Sequence, residues 1–284
     1  MRRRLDSELV RRGLAASRTE ARETVEAGLV NVAGRPATKP STLVDQAEPV
    51  TVAGPVRPFV SRGGEKLDAA LDRFAVDVRG RDCLDAGAST GGFTDCLLRR
   101  GAARVVAIDV GYGQLAWPLR QDPRVTVLER TNVRDLRSDG LPVAPSVVVA
   151  DLSFISLRLV LPTLARVSGD EAEFVVLVKP QFEAGPEAVG KGGVVRDPAS
   201  WRSALQTVAT TLEALGFEVA GVMASPLLGP AGNVEFLLHA RARDPARPAE
   251  PDPDPAGVGP ALDRAVAEGT ALRETTSRRT EDAS

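Results

Sequence analysis

The stretch CLDAGASTGGFTDCLL, Cys83–Leu98, decides the fold. Apolar residues lead to an acid at Asp85, a run of small residues follows, and a helical pattern opens near Gly91. Strand, tight loop and helix open a βαβ unit, and ligands of open α/β sheets bind at such carboxyl ends of strands. Two phosphate-binding patterns are excluded. The fingerprint G-x-G-x-x-G fails because Gly87 is followed by Ala88 and Ser89, and the Walker pattern fails because no GK[ST] follows.

Outward from this stretch, apolar runs end repeatedly in a polar residue. DCLDA (82–86) is followed by RVVAID (104–109), RVTVL (124–128), SVVVAD (146–151) and EFVVLVK (173–179). Helical segments are predicted to start near Gly91, Tyr112, Leu157 and Ala199. Alternation of this kind implies right-handed crossovers and a mostly parallel, doubly wound sheet. A late pair, FEVAGVMASPL (217–227) and NVEFLLHARA (233–242), fits an antiparallel hairpin closing that sheet. The expected class is therefore α/β, Rossmann-like.

The loop after Asp85 resembles the first motif of S-adenosylmethionine-dependent methyltransferases, acid-x-G-x-small-x-G. That cofactor carries no phosphate. Its amino-acid end needs backbone N–H groups for the carboxylate and an acid for the ammonium group, which a bare loop beside Asp85 supplies. Asp109, ending the second strand, is placed to accept the ribose hydroxyls, as an acid there does in dinucleotide folds. Asn132 in ERTNVRDL (129–136) follows the third strand, within reach of the adenine edge. The expected cofactor contacts are Asp85, Gly87, Ser89, Gly91, Phe93, Asp109 and Asn132. Any one of them alone has the alternative of a turn or a helix cap; three strand ends together make that alternative a poor one.

Composition narrows the class. The chain has 284 residues, 43% hydrophobic and 26% charged, as a globular protein with a sizeable core requires. A net charge of −2 means that any nucleic-acid surface must be local. Cys83 and Cys96 form no CxxC and have no His neighbour, so a reduced, cytoplasmic protein without a metal site is expected. MRRRLDSELV (1–10) lacks the apolar core of a signal peptide, and no run approaches the ~20 apolar residues of a membrane span.

Residues 1–56 read as a separate α+β unit. LDSELVRRGLA and SRTEARETVEAGLV are two short amphipathic helices, with Ser17 placed to cap the second and Gly28 to end it. LVNVAGRPATKPSTLV (29–44) reads as a strand, a turn at Ala33-Gly34 and an extended return. Between residues 1 and 24, seven arginines stand against four acids. A solvated helical face explains such an excess as readily as a ligand does, but Arg forks suit phosphate oxygens. Arg3, Arg4, Arg11, Arg18 and Arg22 are the expected RNA contacts. This segment resembles the S4-like RNA-binding domain through its two helices, SRTEA, AGLVNVAG and a later KP. The triplet Arg4–Asp6 matches one used catalytically by pseudouridine synthases; inside this small domain Asp6 is read as structural.

Residues 57–60 join this unit to residues 61–242, and FVSRGGEKL (59–67) reads as a hinge that delivers Lys66. After Ala242, dense proline and charge predict a disordered tail, 243–284.

Three polar residues complete a set with Lys66. Asp151 ends the fourth strand and Lys179 the fifth. Glu235 lies in an apolar strand, where a carboxylate needs a partner, either Lys66 or Lys179. The order K-D-K-E resembles the tetrad of 2′-O-ribose methyltransferases of the FtsJ/RrmJ type. A ribose 2′-hydroxyl must lose its proton as it attacks a sulfonium methyl. A neutral lysine would take it, and free Lys titrates near ~10.4 until burial and a second cation lower that value. Lys179 is the expected base, with Lys66, Asp151 and Glu235 orienting it and the hydroxyl. Amino-group transfer would call for [DN]PP[YF] after the fourth strand, where Leu-Ser-Phe stands. Carbon-5 transfer would call for a cysteine nucleophile, and both cysteines read as packing residues.

Taken with SRGGEKL, DVGYGQLAW, LERTNVR, ADLSFISL, VKPQFE and GPAGNVEF, residues 1–242 resemble the TlyA (haemolysin A) family. The resemblance implies a bacterial rRNA 2′-O-methyltransferase that uses S-adenosyl-L-methionine on cytidine. Its partners would be 16S and 23S rRNA or the ribosomal subunits. It further implies a seven-stranded sheet, a monomer without an obligate protein partner, and an association with sensitivity to capreomycin and viomycin. Rival readings are a non-catalytic ribosome-assembly factor, a base methyltransferase and a membrane-active haemolysin; nothing in the sequence supports insertion.

Overall fold

The computed structural model describes residues 2–15, 18–53, 58–190, 192–229, 231–243 and 258–281. The chain divides into two compact units, Met1–Ser61 and Arg62–Ser284. The expected cap Ser17 and part of the expected linker lie outside the described residues.

In the first unit, β1 (Arg2–Arg4) leads into α1 (Leu5–Arg11), then α2 (Arg18–Glu26), β2 (Val30–Val32), β3 (Arg35–Pro36), β4 (Leu43–Asp45) and β5 (Val50–Val52). β1 pairs antiparallel with β4, and β2 lies between β3 and β5. Ala33 and Gly34 both take left-handed backbone (φ 49° and 76°), the signature of the tight turn predicted between β2 and β3. Leu5, Leu9, Ala21, Val25, Val30 and Val44 form the small core.

The second unit begins with α3 (Arg62–Arg73). It continues through β6 (Asp82–Ala86), α4 (Gly92–Arg99), β7 (Arg104–Ile108), α5 (Trp117–Arg120), β8 (Val125–Leu128) and β9 (Val147–Ala150). It ends with α6 (Leu161–Val167), β10 (Glu173–Val178), α7 (Pro180–Glu183), α8 (Pro198–Ala214), β11 (Phe217–Ala224), β12 (Phe236–Ala242) and α9 (Gly259–Glu281). The seven strands lie in the order β11-β12-β10-β9-β6-β7-β8, with β12 antiparallel to both its neighbours and every other pairing parallel. β9 is wholly apolar and β10 apolar after Glu173, because both faces of a parallel sheet are covered; β6 breaks the pattern with the buried Asp85. Trp201, Phe174 and Phe236 are the bulkiest residues of that core.

Four sequence expectations need correction. The tail 243–284 is not disordered throughout: Gly259–Glu281 is helical, and Leu262 and Ala265 are fully buried in the main core. The prolines all lie at or before Pro260, and beyond it Leu262, Ala265 and Val266 recur at helical spacing, a stripe that tail-wide composition conceals. Residues 244–257 lie outside the described residues. Gly63 and Gly64 are not a hinge but lie inside the first turn of α3. The helix expected near Tyr112 starts at Trp117, after a loop containing Gly111 and the left-handed Gly113. Glu235 is not within a strand but directly precedes β12.

Candidate active site

The predicted residues of the second unit gather where the parallel strands end. The sheet register puts Ala86 beside Ala150, Ala150 beside Val176, and Val178 opposite Phe236. The next residues along this edge are Gly87, Asp151, Lys179 and Glu235, and residues opposite one another in an antiparallel pair point to the same face. Lys66 comes to this edge from the start of the second turn of α3.

The four residues form two ion pairs. The Lys66 ammonium meets Oε2 of Glu235, with both side chains buried. Lys179 Nζ lies 2.6 Å from Oδ1 of Asp151 and donates to Ser153 Oγ at 2.9 Å. The question left open by the sequence, which lysine meets Glu235, is answered: it is Lys66. The Glu235 turn is held at its backbone, where its carbonyl accepts from Ser225 N at 2.8 Å. On the other side Gly229 presses so close that an added Cβ would lie 2.5 Å from Glu235 Oε1. The Arg62 guanidinium, one turn before Lys66, donates to the carbonyl of Leu228 in this same covering loop.

The small-residue loop rests on this constellation. Gly87 has φ +88°, and a Cβ there would lie 2.4 Å from the Asp151 carbonyl oxygen. Only glycine meets both demands. Gly91 caps α4 with φ +98° and abuts Leu119 and Leu115. Ser89, itself left-handed at φ 48°, donates its N–H to Asp109 Oδ2 at 2.8 Å. The other oxygen of Asp109 accepts from Gly111 N at 2.6 Å. Asp109 thus sets the loops after β6 and β7 against one another. Asn132 caps the short turn Val133–Asp135, accepting from Arg134 N at 3.1 Å.

Asp85 is fully buried beneath the loop. One carboxylate oxygen accepts from Thr94 Oγ1 at 2.6 Å; the other is enclosed without a hydrogen-bond partner among the described residues. Burial pushes its carboxyl up to about 7; the Thr94 hydrogen bond opposes the rise, and the charges of Asp151 and Asp109 add to it. Phe93 is 3% exposed and packs within α4. Both cysteines are buried, and burial pushes the Cys83 thiol up to about 12, the opposite of a reactive thiolate.

Three residues of this edge escaped the sequence reading. Ser153 joins Asp151 on the Lys179 ammonium. Glu183 accepts from Ser156 Oγ at 2.6 Å and Leu157 N at 2.7 Å, tying the turn after β10 to the loop after β9. Phe154 is 91% exposed in left-handed backbone (φ 64°), its ring 5.2 Å from that of Phe182. The motifs ADLSFISL and VKPQFE contain all three, but nothing in them tells which side chains meet.

In the first unit, Arg3, Arg4, Arg11, Arg18 and Arg22 are all exposed. Arg4 and Arg18 reach Asp6 at 2.8 and 3.4 Å, Arg11 reaches Glu8 at 2.6 Å, and Arg22 lies 3.9 Å from Glu26. Asp6 is 1% exposed, and its bonds to Arg4 hold its carboxyl far below the ordinary range, in keeping with a structural role. Among the described residues, no helix is long and apolar enough to cross a membrane.

Fold and site together define an S-adenosylmethionine-dependent methyltransferase joined to an RNA-binding domain. Residues 59–242 match the FtsJ-like methyltransferase family and residues 3–50 the S4 domain. The chain is 53% identical over 268 residues to the 16S/23S rRNA (cytidine-2′-O)-methyltransferase TlyA of Mycobacterium tuberculosis, covering 94% of this chain and 98% of the relative. It is 38% identical to hemolysin A of Brachyspira hyodysenteriae, across 83% of this chain and 98% of the relative. A solved structure from Streptococcus thermophilus, described as a candidate hemolysin, superposes with a TM-score of 0.76 at 38% identity, covering 98% of each chain. The chain belongs to the TlyA family of methyltransferases.

Proposed function

We propose that this protein transfers a methyl group from S-adenosyl-L-methionine to cytidine 2′-hydroxyls of 16S and/or 23S rRNA. The observation that carries this reading is the pairing of two lysines, each with its own carboxylate, at the strand ends beside the Gly87–Gly91 loop. Bound S-adenosylmethionine supplies an electrophilic methyl group on a sulfonium. The chain's own residues supply the rest. The N–H groups of Gly87, Ala88, Ser89 and Gly91 are already engaged by Ile108, Asp109 and Ala88, so the cofactor's carboxylate would be met by the start of α4 just beyond them. Asp109 would accept from the ribose hydroxyls with the lone pairs its two backbone bonds leave free, and Asn132 would contact the adenine edge.

Asp85 has no open face, so it acts on the ammonium group through its field from beneath the loop. In its neutral amine form, Lys179 would take the 2′-hydroxyl proton as that oxygen becomes the nucleophile for the methyl group. Asp151 and Ser153 aim the Lys179 amine, and Lys66 with Glu235 orients the hydroxyl. Holding both partners in this geometry removes much of the entropic barrier to the reaction. The exposed arginines of the S4 domain bring phosphate contacts, which position RNA without reading its sequence.

This reading places the protein in the cytoplasm as a monomer acting on rRNA, and connects its activity to sensitivity to capreomycin and viomycin. The test is transfer of labelled methyl groups to separated small and large ribosomal subunits. Incorporation into one or both supports the reading. No incorporation into either subunit or their naked rRNAs refutes it.

A further inference from the structure

The C-terminal helix α9 lies outside both matched segments, 3–50 and 59–242, yet its contacts converge on the turn that carries Glu235. Gly269 faces that turn. A Cβ at this position would lie 2.7 Å from Val234 Cγ1 and 3.2 Å from the Phe236 ring, the two residues flanking Glu235. Glycine is a poor residue for a helix interior, so the close approach is what accounts for it here.

Glu268, the preceding residue, grips two other parts of the same assembly. One of its carboxylate oxygens accepts from the backbone N–H of Ala224 at 3.1 Å, next to Ser225, whose N–H holds the Glu235 carbonyl. The other accepts from Arg73 at 3.2 Å, the last residue of α3, and α3 also carries Lys66. One turn further on, Arg273 donates to the Arg196 carbonyl at 3.0 Å. That segment is fastened in turn by Asn233, which accepts from Val195 N and donates to the Gly193 carbonyl, both at 2.9 Å. Leu262 and Ala265, fully buried, and the Arg202–Asp263 ion pair at 2.7 Å fix the start of the helix.

We propose that α9 is a positioning brace for the Lys66–Glu235 pair. Through Gly269, Glu268 and Arg273 it fixes the turn Asn233–Glu235 and the far end of α3, and so sets where the two charged groups meet. The inference rests on the reading of Lys66 and Glu235 as part of the methyl-transfer machinery. A brace of this kind acts on turnover rather than on binding, because its described contacts are with the Glu235 turn, Ala224, Arg73 and Arg196.

The experiment uses the full chain with Gly269→Ala, Glu268→Ala, Glu268→Gln and Glu235→Gln, assayed on ribosomal subunits with melting curves alongside. Gly269→Ala sets alanine's helix preference against the clash of its Cβ with Val234, so a purely structural role predicts a lowered melting temperature with unchanged kcat in the folded protein. The brace predicts a fall in kcat of about 10-fold for Gly269→Ala and for Glu268→Ala, the scale expected of a displaced catalytic group. KM for RNA and Kd for S-adenosylmethionine should stay within about twofold, a smaller change than uniform binding loss would give. Glu268→Gln, which keeps an acceptor for Ala224, should recover part of the loss.

Wild-type kcat in both the Gly269→Ala and Glu268→Ala variants, with Glu235→Gln inactive, overturns the brace and leaves the catalytic reading standing. Wild-type kcat in Glu235→Gln overturns the catalytic reading and the brace with it. If Gly269→Ala does not fold, Glu268→Ala decides alone, since that side chain is 41% exposed and its loss leaves no cavity.

Discussion

Breaking the Lys66–Glu235 pair separates its part in folding from its part in chemistry. Both side chains are almost wholly enclosed, 7% and 1% exposed. Glu235→Leu leaves a buried ammonium without its counter-charge, and removing one partner of a buried pair costs about 3–5 kcal/mol. The second unit, Arg62–Ser284, falls in the size class of about 150–250 residues. At about 2–4 °C per kcal/mol for a unit of that size, its melting temperature should drop by roughly 6–20 °C. Lys66→Met alone should cost a comparable amount, because it leaves the carboxylate stranded. The double variant Lys66→Met/Glu235→Leu restores an uncharged contact and should regain most of that loss, since an apolar replacement of a buried pair is often neutral or better. Its methyl transfer should nevertheless stay lost. Calorimetric melting and turnover on ribosomal subunits, measured on all four forms, complete the cycle. Recovery of activity together with stability would refute the reasoning, because the pair would then be structural alone.

Three further outcomes follow from the same geometry. Gly87→Ala drives a methyl group against the Asp151 carbonyl 2.4 Å away, so both cofactor affinity and turnover should fall by at least about 10-fold, read by calorimetry and methyl incorporation. Asp85 has its carboxyl raised to about 7, so it holds a proton that the unfolded chain would have released; that contribution to stability is present below the unfolded value and is lost as pH rises through about 7. The ionised form draws the cofactor's ammonium group, so S-adenosylmethionine should bind more tightly at pH 8 than at pH 6, and Asp85→Asn should remove that component; an identical pH profile in the variant counts against it. Charge reversal at Arg3, Arg4, Arg18 and Arg22 should weaken RNA binding and flatten its dependence on salt, as expected when phosphate contacts disappear. An unchanged slope in a salt titration would remove the S4 domain as the RNA-binding surface.

The sheet was legible because parallel strands buried on both faces are continuous apolar runs, and a polar residue ending such a run stands out. Asp109, Asp151 and Lys179 were found that way, and each follows directly on its strand. Glycines at 87 and 91 were legible because a close backbone approach and a left-handed cap leave few other choices. Which charges meet was not legible. Lys66 and Glu235 are 169 residues apart, and the fold brings α3 and the turn before β12 together to join them. Ser156 looked like an ordinary polar residue of a loop, and its capping bond, like that of Asn132, exists only once the turn forms. The helix α9 was hidden by proline-rich sequence ahead of it, since composition averaged over the whole tail dilutes a short apolar stripe.

The central claim is that this edge of the sheet methylates a ribose hydroxyl of rRNA with Lys179 as the base. The most direct measurement is mass spectrometry of nuclease-digested rRNA after incubation with the purified protein and labelled S-adenosylmethionine, run in parallel with Lys179→Ala. The account predicts the label on a cytidine ribose for the wild type, and none for a Lys179→Ala protein that still binds S-adenosylmethionine in calorimetry. A label on the base, or a Lys179→Ala protein that turns over as the wild type does, would contradict it.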